Sequence, residues 1–214
     1  INISLGGRDP GRPPSEQPQK AFTAHYDMSV SAADIVDSWD YALAGREFVG
    51  DSFPCTWPNF GPGVIAAFLG ATLDSGNDTV WFHPPVRKAI DQWAFEYDPA
   101  NVWLRRVRDI MVAAMARWKG LVQVSMTDLG GNLDILASFR PGEELLLDLY
   151  DYPDEVKRLT WDAHAMWQRY SDELNRALQP VNPGYTAWTP IFSETPYYML
   201  QCDFCYMIGP DMFD

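Results

Sequence analysis

The sequence predicts an α/β protein of the closed (β/α)8-barrel kind, with only about the first half of the barrel present in the chain. Three observations lead there. Short runs of β-branched and aromatic residues alternate with helical patterns at intervals of roughly 10–25 residues, the spacing of parallel β/α units. Four to five such strands are readable in 214 residues, whereas a closed barrel needs eight strands and ~250 residues. The turn after the first strand, Gly6-Gly7-Arg8-Asp9-Pro10-Gly11, lacks the GxGxxG spacing of an open dinucleotide-binding sheet and runs into proline instead of a helix. A single domain over residues 1–214 is expected.

Ile1–Leu5 reads as a short strand, and the Gly-, Pro- and Arg-rich stretch after it as a loop without periodicity. Ser31 is placed to cap a helix with Ala32, Ile35, Val36, Trp39 and Leu43 on one face, and Gly45 stops it. Glu47–Val49 is a strand. The run from Asp51 to Gly63 holds three prolines and two glycines and is a loop. Val64–Leu69 makes a short apolar helix that Gly70 ends, and Thr79–Phe82 is a strand closed by His83 and two prolines.

Pro99 opens a helix that runs to Trp118, with Trp103, Val107, Ile110, Ala114 and Trp118 recurring at three- and four-residue steps. Leu121–Met126 is a strand, and Thr127-Asp128-Leu129-Gly130-Gly131 turns directly after it. Helical pieces follow near Asn132–Ser138 and Gly142–Tyr150. Pro153 sits at the first position of the longest helix, with Asp154 and Glu155 in its positive first turn. Its buried stripe is Val156, Leu159, Ala163, Trp167, Tyr170, Leu174 and Leu178. Tyr197–Cys202 reads as the last strand, and Pro210-Asp211 as the first turn of a further helix.

The formal charge of −13 repels nucleic-acid phosphates and anionic membranes, and no basic stripe compensates: Arg105, Arg106 and Arg108 are the densest cluster. The apolar runs fall well short of the ~18 residues of a membrane span. No nucleic acid and no membrane is expected as a partner. Cys55, Cys202 and Cys205 are too few and odd for a disulfide scaffold, so a reducing, cytoplasmic compartment is expected. Cys202 and Cys205 form a CxxC motif. Three cysteines cannot make a four-thiolate zinc site, although a mixed site with His25, His83 or His164 has the right ligand types. The other readings are a redox pair, and two small apolar residues at a strand end.

Asp51, Asp128 and Asp203 each follow a predicted strand. In parallel α/β proteins such strand ends converge on one rim and supply catalytic groups. Asp commonly caps helices or satisfies loop N–H groups as well. Asp51 and Asp203 are the candidate catalytic residues. Trp57, Asn59 and Phe60 from the loop, His83 at a strand end, Asp128 and Tyr206 are the candidate substrate-binding set, aromatic walls with few polar groups suiting a flat apolar ligand. No serine-hydrolase elbow, phosphate loop, HExxH or EF-hand pattern is present.

Three stretches carry a resemblance. They are Gly50-Asp51-Ser52-Phe53-Pro54 through Gly61-Pro62-Gly63 and Phe68-Leu69-Gly70; Asp128-Leu129-Gly130-Gly131 through Leu136–Gly142 and Glu144–Leu149; and Cys202-Asp203 followed by Ile208–Phe213. In this order they resemble the uroporphyrinogen decarboxylase superfamily over nearly the whole chain. The resemblance implies a TIM-type barrel whose later strands lie beyond Asp214. It puts Asp51 where the decarboxylases carry the aspartate that binds pyrrole N–H groups. It also exposes departures: the arginine-glutamine-rich loop for substrate carboxylates is here Gly6–Pro14 with only Arg8 and Arg12. The tyrosine after the glycine pair is replaced by Ser138 or Phe139, and a serine after the later aspartate by Phe204.

Methyltransferases of the superfamily bind zinc through His and Cys residues of later strands; the zinc activates a thiol, and a methyl group passes between that thiol and corrinoid cobalt. The leading expectation is therefore corrinoid-linked methyl transfer to a thiol or related acceptor, with zinc and a corrinoid as the cofactors implied and none held by this portion itself. The alternatives are a tetrapyrrole decarboxylase using Asp51, and a non-catalytic barrel binding a small ligand or a corrinoid protein. Because a half barrel leaves strand edges unpaired, either a longer parent chain or pairing of chains as a homodimer is expected.

Overall fold

Ser31 starts the first helix by accepting the backbone N–H of Asp34 on its hydroxyl at 3.1 Å, a cap that contributes about 1 kcal/mol. The structure, a computed structural model, describes residues 2–76, 78–179 and 181–212. The chain is an α/β protein with six α-helices and three two-stranded sheets among the described residues. None of these sheets closes into a barrel. Its contacts divide into two compact units. One comprises Ile1–Phe60, Arg105–Thr127 and Leu174–Met199, and the other Gly61–Leu104, Asp128–Glu173 and Leu200–Asp214.

In the first unit, strand β1 (Ile3–Gly6) pairs antiparallel with β2 (Arg46–Val49), Ile3 opposite Val49 and Gly6 opposite Arg46. Helix α1 (Ala32–Ala44) connects them and buries Ile35, Val36 and Trp39. Strand β3 (Cys55–Thr56) lies in the expected loop and pairs parallel with β6 (Gln123–Val124). Beyond that pair the backbone N–H of Met126 donates to the Thr186 carbonyl at 2.9 Å, and the Asn182 side chain brackets Val124 with bonds of 3.1 and 2.7 Å. The polar side of α1 meets the end of helix α3 (Val102–Trp118). There Arg117 and the Trp118 indole both donate to Asp40 at 2.7 Å, and Arg12 reaches Asp37 at 3.1 Å.

In the second unit, helix α2 (Ile65–Phe68) leads into β4 (Thr72–Ser75), which forms an antiparallel hairpin with β5 (Val80–His83). β4 escaped the sequence reading because Thr72-Leu73-Asp74-Ser75 carries one large apolar residue and no alternating pattern. Helices α4 (Asn132–Phe139), α5 (Glu144–Asp151) and α6 (Pro153–Leu178) follow. Val156, Leu159, Ala163, Tyr170, Leu174 and Leu178 of α6 are buried as the stripe requires, each large apolar member contributing about 1.5–3 kcal/mol, whereas Trp167, also expected in the stripe, is only half-buried. Burial pushes the Tyr170 phenol up to about 12, so the ring is neutral at any physiological pH. Arg140 ties α4 to α5 through the nearly buried Asp148, with a bidentate pair at 2.5 and 3.0 Å.

Four expectations are corrected. α3 begins at Val102 instead of Pro99, because the Asn101 side chain accepts the N–H groups of Trp103 and Leu104 and so caps the helix. Tyr197–Cys202 is not a strand: the following N–H groups of Asp203 and Phe204 are taken by the Asp134 side chain, and among the described residues no backbone forms a ladder with the segment. The residues after it form a 3-10 turn, Asp203–Met207, and Pro210–Met212 is a second such turn, not the opening of an α-helix. Finally, two of the three sheets are antiparallel, so among the described residues parallel pairing is confined to β3 and β6.

Candidate functional site

The glycine pair Gly130-Gly131 builds the site by letting three chain segments touch. Gly130 has φ +80°, and a Cβ there would stand 2.5 Å from the Cα of Gly63, itself at φ +82°. Only glycine tolerates both demands. A Cβ on Gly131 would stand 2.2 Å from the Gln201 carbonyl oxygen. The Asp128 carbonyl accepts the N–H of Val64 at 3.0 Å, and the Trp167 indole donates to the Gly130 carbonyl at 3.1 Å. The turn after the predicted strand is thus a packing junction between residues 62–64, 128–131 and 201–202.

Beside this junction lies a cleft of about 520 Å³, lined entirely by residues of the second unit. That is within the usual range for a small-molecule site, about 300–1,000 Å³. Strand β5 supplies an aromatic wall through Trp81 and Phe82, α4 supplies Asp134 and Ser138, and the segment after Leu200 supplies Gln201, Asp203, Phe204, Tyr206 and Met207. Asp134 holds that segment in place, accepting the Asp203 N–H at 3.1 Å on one oxygen and the Phe204 N–H at 2.8 Å on the other. A carboxylate meeting two N–H groups at the start of a turn makes charge-assisted bonds, stronger than neutral ones.

The sequence-predicted residues distribute unevenly. His83, Asp203 and Tyr206 line this one cleft. Tyr206 is 96 % exposed, and His83 stands 4.0 Å from Asp74 across the hairpin. Asp128 is buried and reaches the cleft through Gln201, whose amide donates to its carboxylate at 2.7 Å. Asp51, Trp57, Asn59 and Phe60 belong to the first unit. There Asp51 is exposed in the turn after β2, Asn59 donates to the Ala21 carbonyl at 3.1 Å, and Phe60 is buried in the core.

Asp134, Gln201, Trp81 and Phe82 were not singled out from sequence. A signal existed for Asp134, an acid in the first turn of a predicted helix, but its partners lie about 70 residues away in sequence. The only charged side chains lining the cleft, among the described residues, are Asp134 and Asp203, apart from the titratable His83; no Lys or Arg lines it. Such a surface can accept hydrogen bonds from a ligand and stack on its flat faces. It repels a polyanion.

Among the described residues no group of three or more His, Cys, Asp and Glu converges to hold a metal ion. The resemblance puts its zinc ligands on later strands, so no zinc site is assigned to these residues and no step is derived through one. No helix among them is long and apolar enough to cross a membrane. Comparison with protein-family models, curated proteins and solved structures gives no match.

Proposed function

We propose that this chain forms about the first half of a uroporphyrinogen decarboxylase-like (β/α)8 barrel and acts in corrinoid-linked methyl transfer, with the second-unit cleft holding the small substrate. The barrel reading is supported by the order of segments in the first unit. Cys55–Thr56 lies parallel beside Gln123–Val124, and Met126 next to it bonds to Thr186. Parallel segments that lie side by side in chain order, with helical chain between them, are the arrangement a barrel requires. The remaining strands would come from outside these 214 residues.

The observation that carries the functional reading is that, among the described residues, two carboxylates and no Lys or Arg line the cleft. A porphyrinogen would bring several carboxylates against Asp134 and Asp203. Like charges about 4 Å apart repel by ~4 kcal/mol near a protein surface. An uncharged or cationic aromatic substrate meets no such cost and gains from stacking on Trp81 and Phe82. In this reading Asp134 and Asp128 orient the Gln201–Met207 segment, while Asp203, His83 and Tyr206 face the ligand. A corrinoid would be presented by a partner protein.

Methylcobalamin incubated with the full-length gene product, zinc and a thiol acceptor tests this directly. Loss of the methyl–cobalt absorption band above the protein-free rate is the expected result. An unchanged band together with decarboxylation of a porphyrinogen by the same preparation would overturn the reading in favour of a decarboxylase using Asp51.

A further inference from the structure

We propose that Cys202 and Cys205 form a reversible dithiol–disulfide site within the turn that carries one wall of the second-unit cleft, oxidised by a low-molecular-weight disulfide of the glutathione class. The thiol of Cys205 donates to the sulfur of Cys202 at 2.8 Å. Less than about 1 Å of further approach reaches the ~2.05 Å of a bonded pair. The backbone already holds the closing geometry, with the Cys205 N–H on the Cys202 carbonyl at 3.3 Å and the intervening Asp203 and Phe204 N–H groups pinned by Asp134. Both thiols are free and half-buried, so a small disulfide can reach them. With no third ligand converging on the pair among the described residues, exchange chemistry suits it better than metal binding.

The exchange balances. The Cys205 thiolate attacks one sulfur of the oxidised tripeptide, forming a mixed disulfide and releasing one glutathione thiolate. Cys202 gives its proton to that leaving thiolate and attacks the Cys205 sulfur, which expels the second glutathione thiolate; this takes up the proton that Cys205 had lost to solvent. Two protein thiols are oxidised and one glutathione disulfide is reduced to two thiols. Cys205 acts first because burial, the hydrogen bond that the Cys202 thiol gives to the Cys205 sulfur once Cys205 is a thiolate, and the Asp134 carboxylate push Cys202 up to about 12, leaving it a thiol at neutral pH. The disulfide would enclose Asp203 and Phe204 and fix the turn that carries five cleft-lining residues, Gln201, Asp203, Phe204, Tyr206 and Met207.

The test equilibrates the reduced full chain across ratios of reduced to oxidised glutathione, alkylates the remaining thiols, and reads intact and peptide masses. The expected result is a two-electron transition from a chain carrying three alkyl groups to one carrying a single alkyl group on Cys55, with Cys202 joined to Cys205 in a peptide about 2 Da lighter than its unalkylated dithiol form, and full reversal by dithiothreitol. Amide exchange at Phe204 and Cys205 should slow at least tenfold in that species. Cys202→Ser should stop at a glutathione adduct on Cys205. Alkylation of both cysteines at every ratio, or a stable adduct on the native pair, would overturn the proposal. An unchanged exchange rate in the oxidised form would overturn its link to the cleft wall. No cleft ligand or methyl donor enters the measurement, so its outcome is independent of the methyl-transfer reading.

Discussion

The Gln201 side-chain amide donates to the buried Asp128 carboxylate at 2.7 Å, on the same oxygen that accepts the Gly130 N–H at 2.9 Å. One acceptor atom thereby ties the segment leading into the cleft wall to the glycine turn beneath it. Asp128→Ala strands these donors in a site that is 8 % exposed. A loss of about 2–4 kcal/mol in urea unfolding is expected, with Asp128→Asn retaining part of it. If Asp128→Ala leaves stability unchanged while weakening ligand binding, the carboxylate contacts substrate directly and this positioning role is wrong.

Gly131→Ala is the corresponding steric test. Its Cβ would meet the Gln201 oxygen at 2.2 Å and the Cys202 Cα at 3.1 Å, both backbone atoms that cannot rotate away. Overpacking of this kind costs about 1–3 kcal/mol, which for a chain of this size lowers the thermal midpoint by roughly 3–10 °C. Calorimetry checks the shift. Faster amide exchange at residues 201–204 should accompany it.

Acid should loosen the contact between α1 and the end of α3. Burial raises the Asp40 carboxyl, but hydrogen bonds from Arg117 and Trp118 and the charges of Arg117 and Arg12 outweigh it, so the group titrates below its ordinary value. A depressed carboxylate pKa means that the unfolded chain binds the proton first as pH falls. Its stabilisation is therefore fully present above about pH 4 and disappears as pH drops through the lower folded value. Asp40→Asn should be less stable than the native chain at pH 7, and the difference should vanish near pH 2. A difference that persists at pH 2 would assign the effect to packing.

Asp51 and Asp203 are both exposed, and no hydrogen bond or ion pair engages the Asp203 side chain among the described residues. Replacing either by Asn should change stability by no more than about 0.5 kcal/mol. A methyl-transfer enzyme using the second-unit cleft should lose turnover or substrate affinity with Asp203→Asn. A decarboxylase of the kind the resemblance implies should lose turnover with Asp51→Asn instead. Steady-state kinetics on the two folded variants separate these outcomes.

What the sequence by itself determined is local. The Ser31 cap, the stop at Gly45, the apolar stripe of α6 and the strand ending at His83 all follow from side-chain preference and periodicity within one or two turns of chain. These causes are short-range, so they can be read without knowing what lies across the fold. The tertiary structure decided everything that depends on distant partners. It took the backbone N–H groups after Cys202 to the Asp134 carboxylate, which starts a 3-10 turn directly after the segment expected to be a strand. It paired β1 with β2 and β4 with β5 antiparallel, because register depends on which edges meet and not on either strand's composition. It gathered His83, Asp203 and Tyr206 around one cleft with Asp134 and Gln201, residues about 70 apart meeting only because glycines at 63, 130 and 131 let three backbones approach within contact.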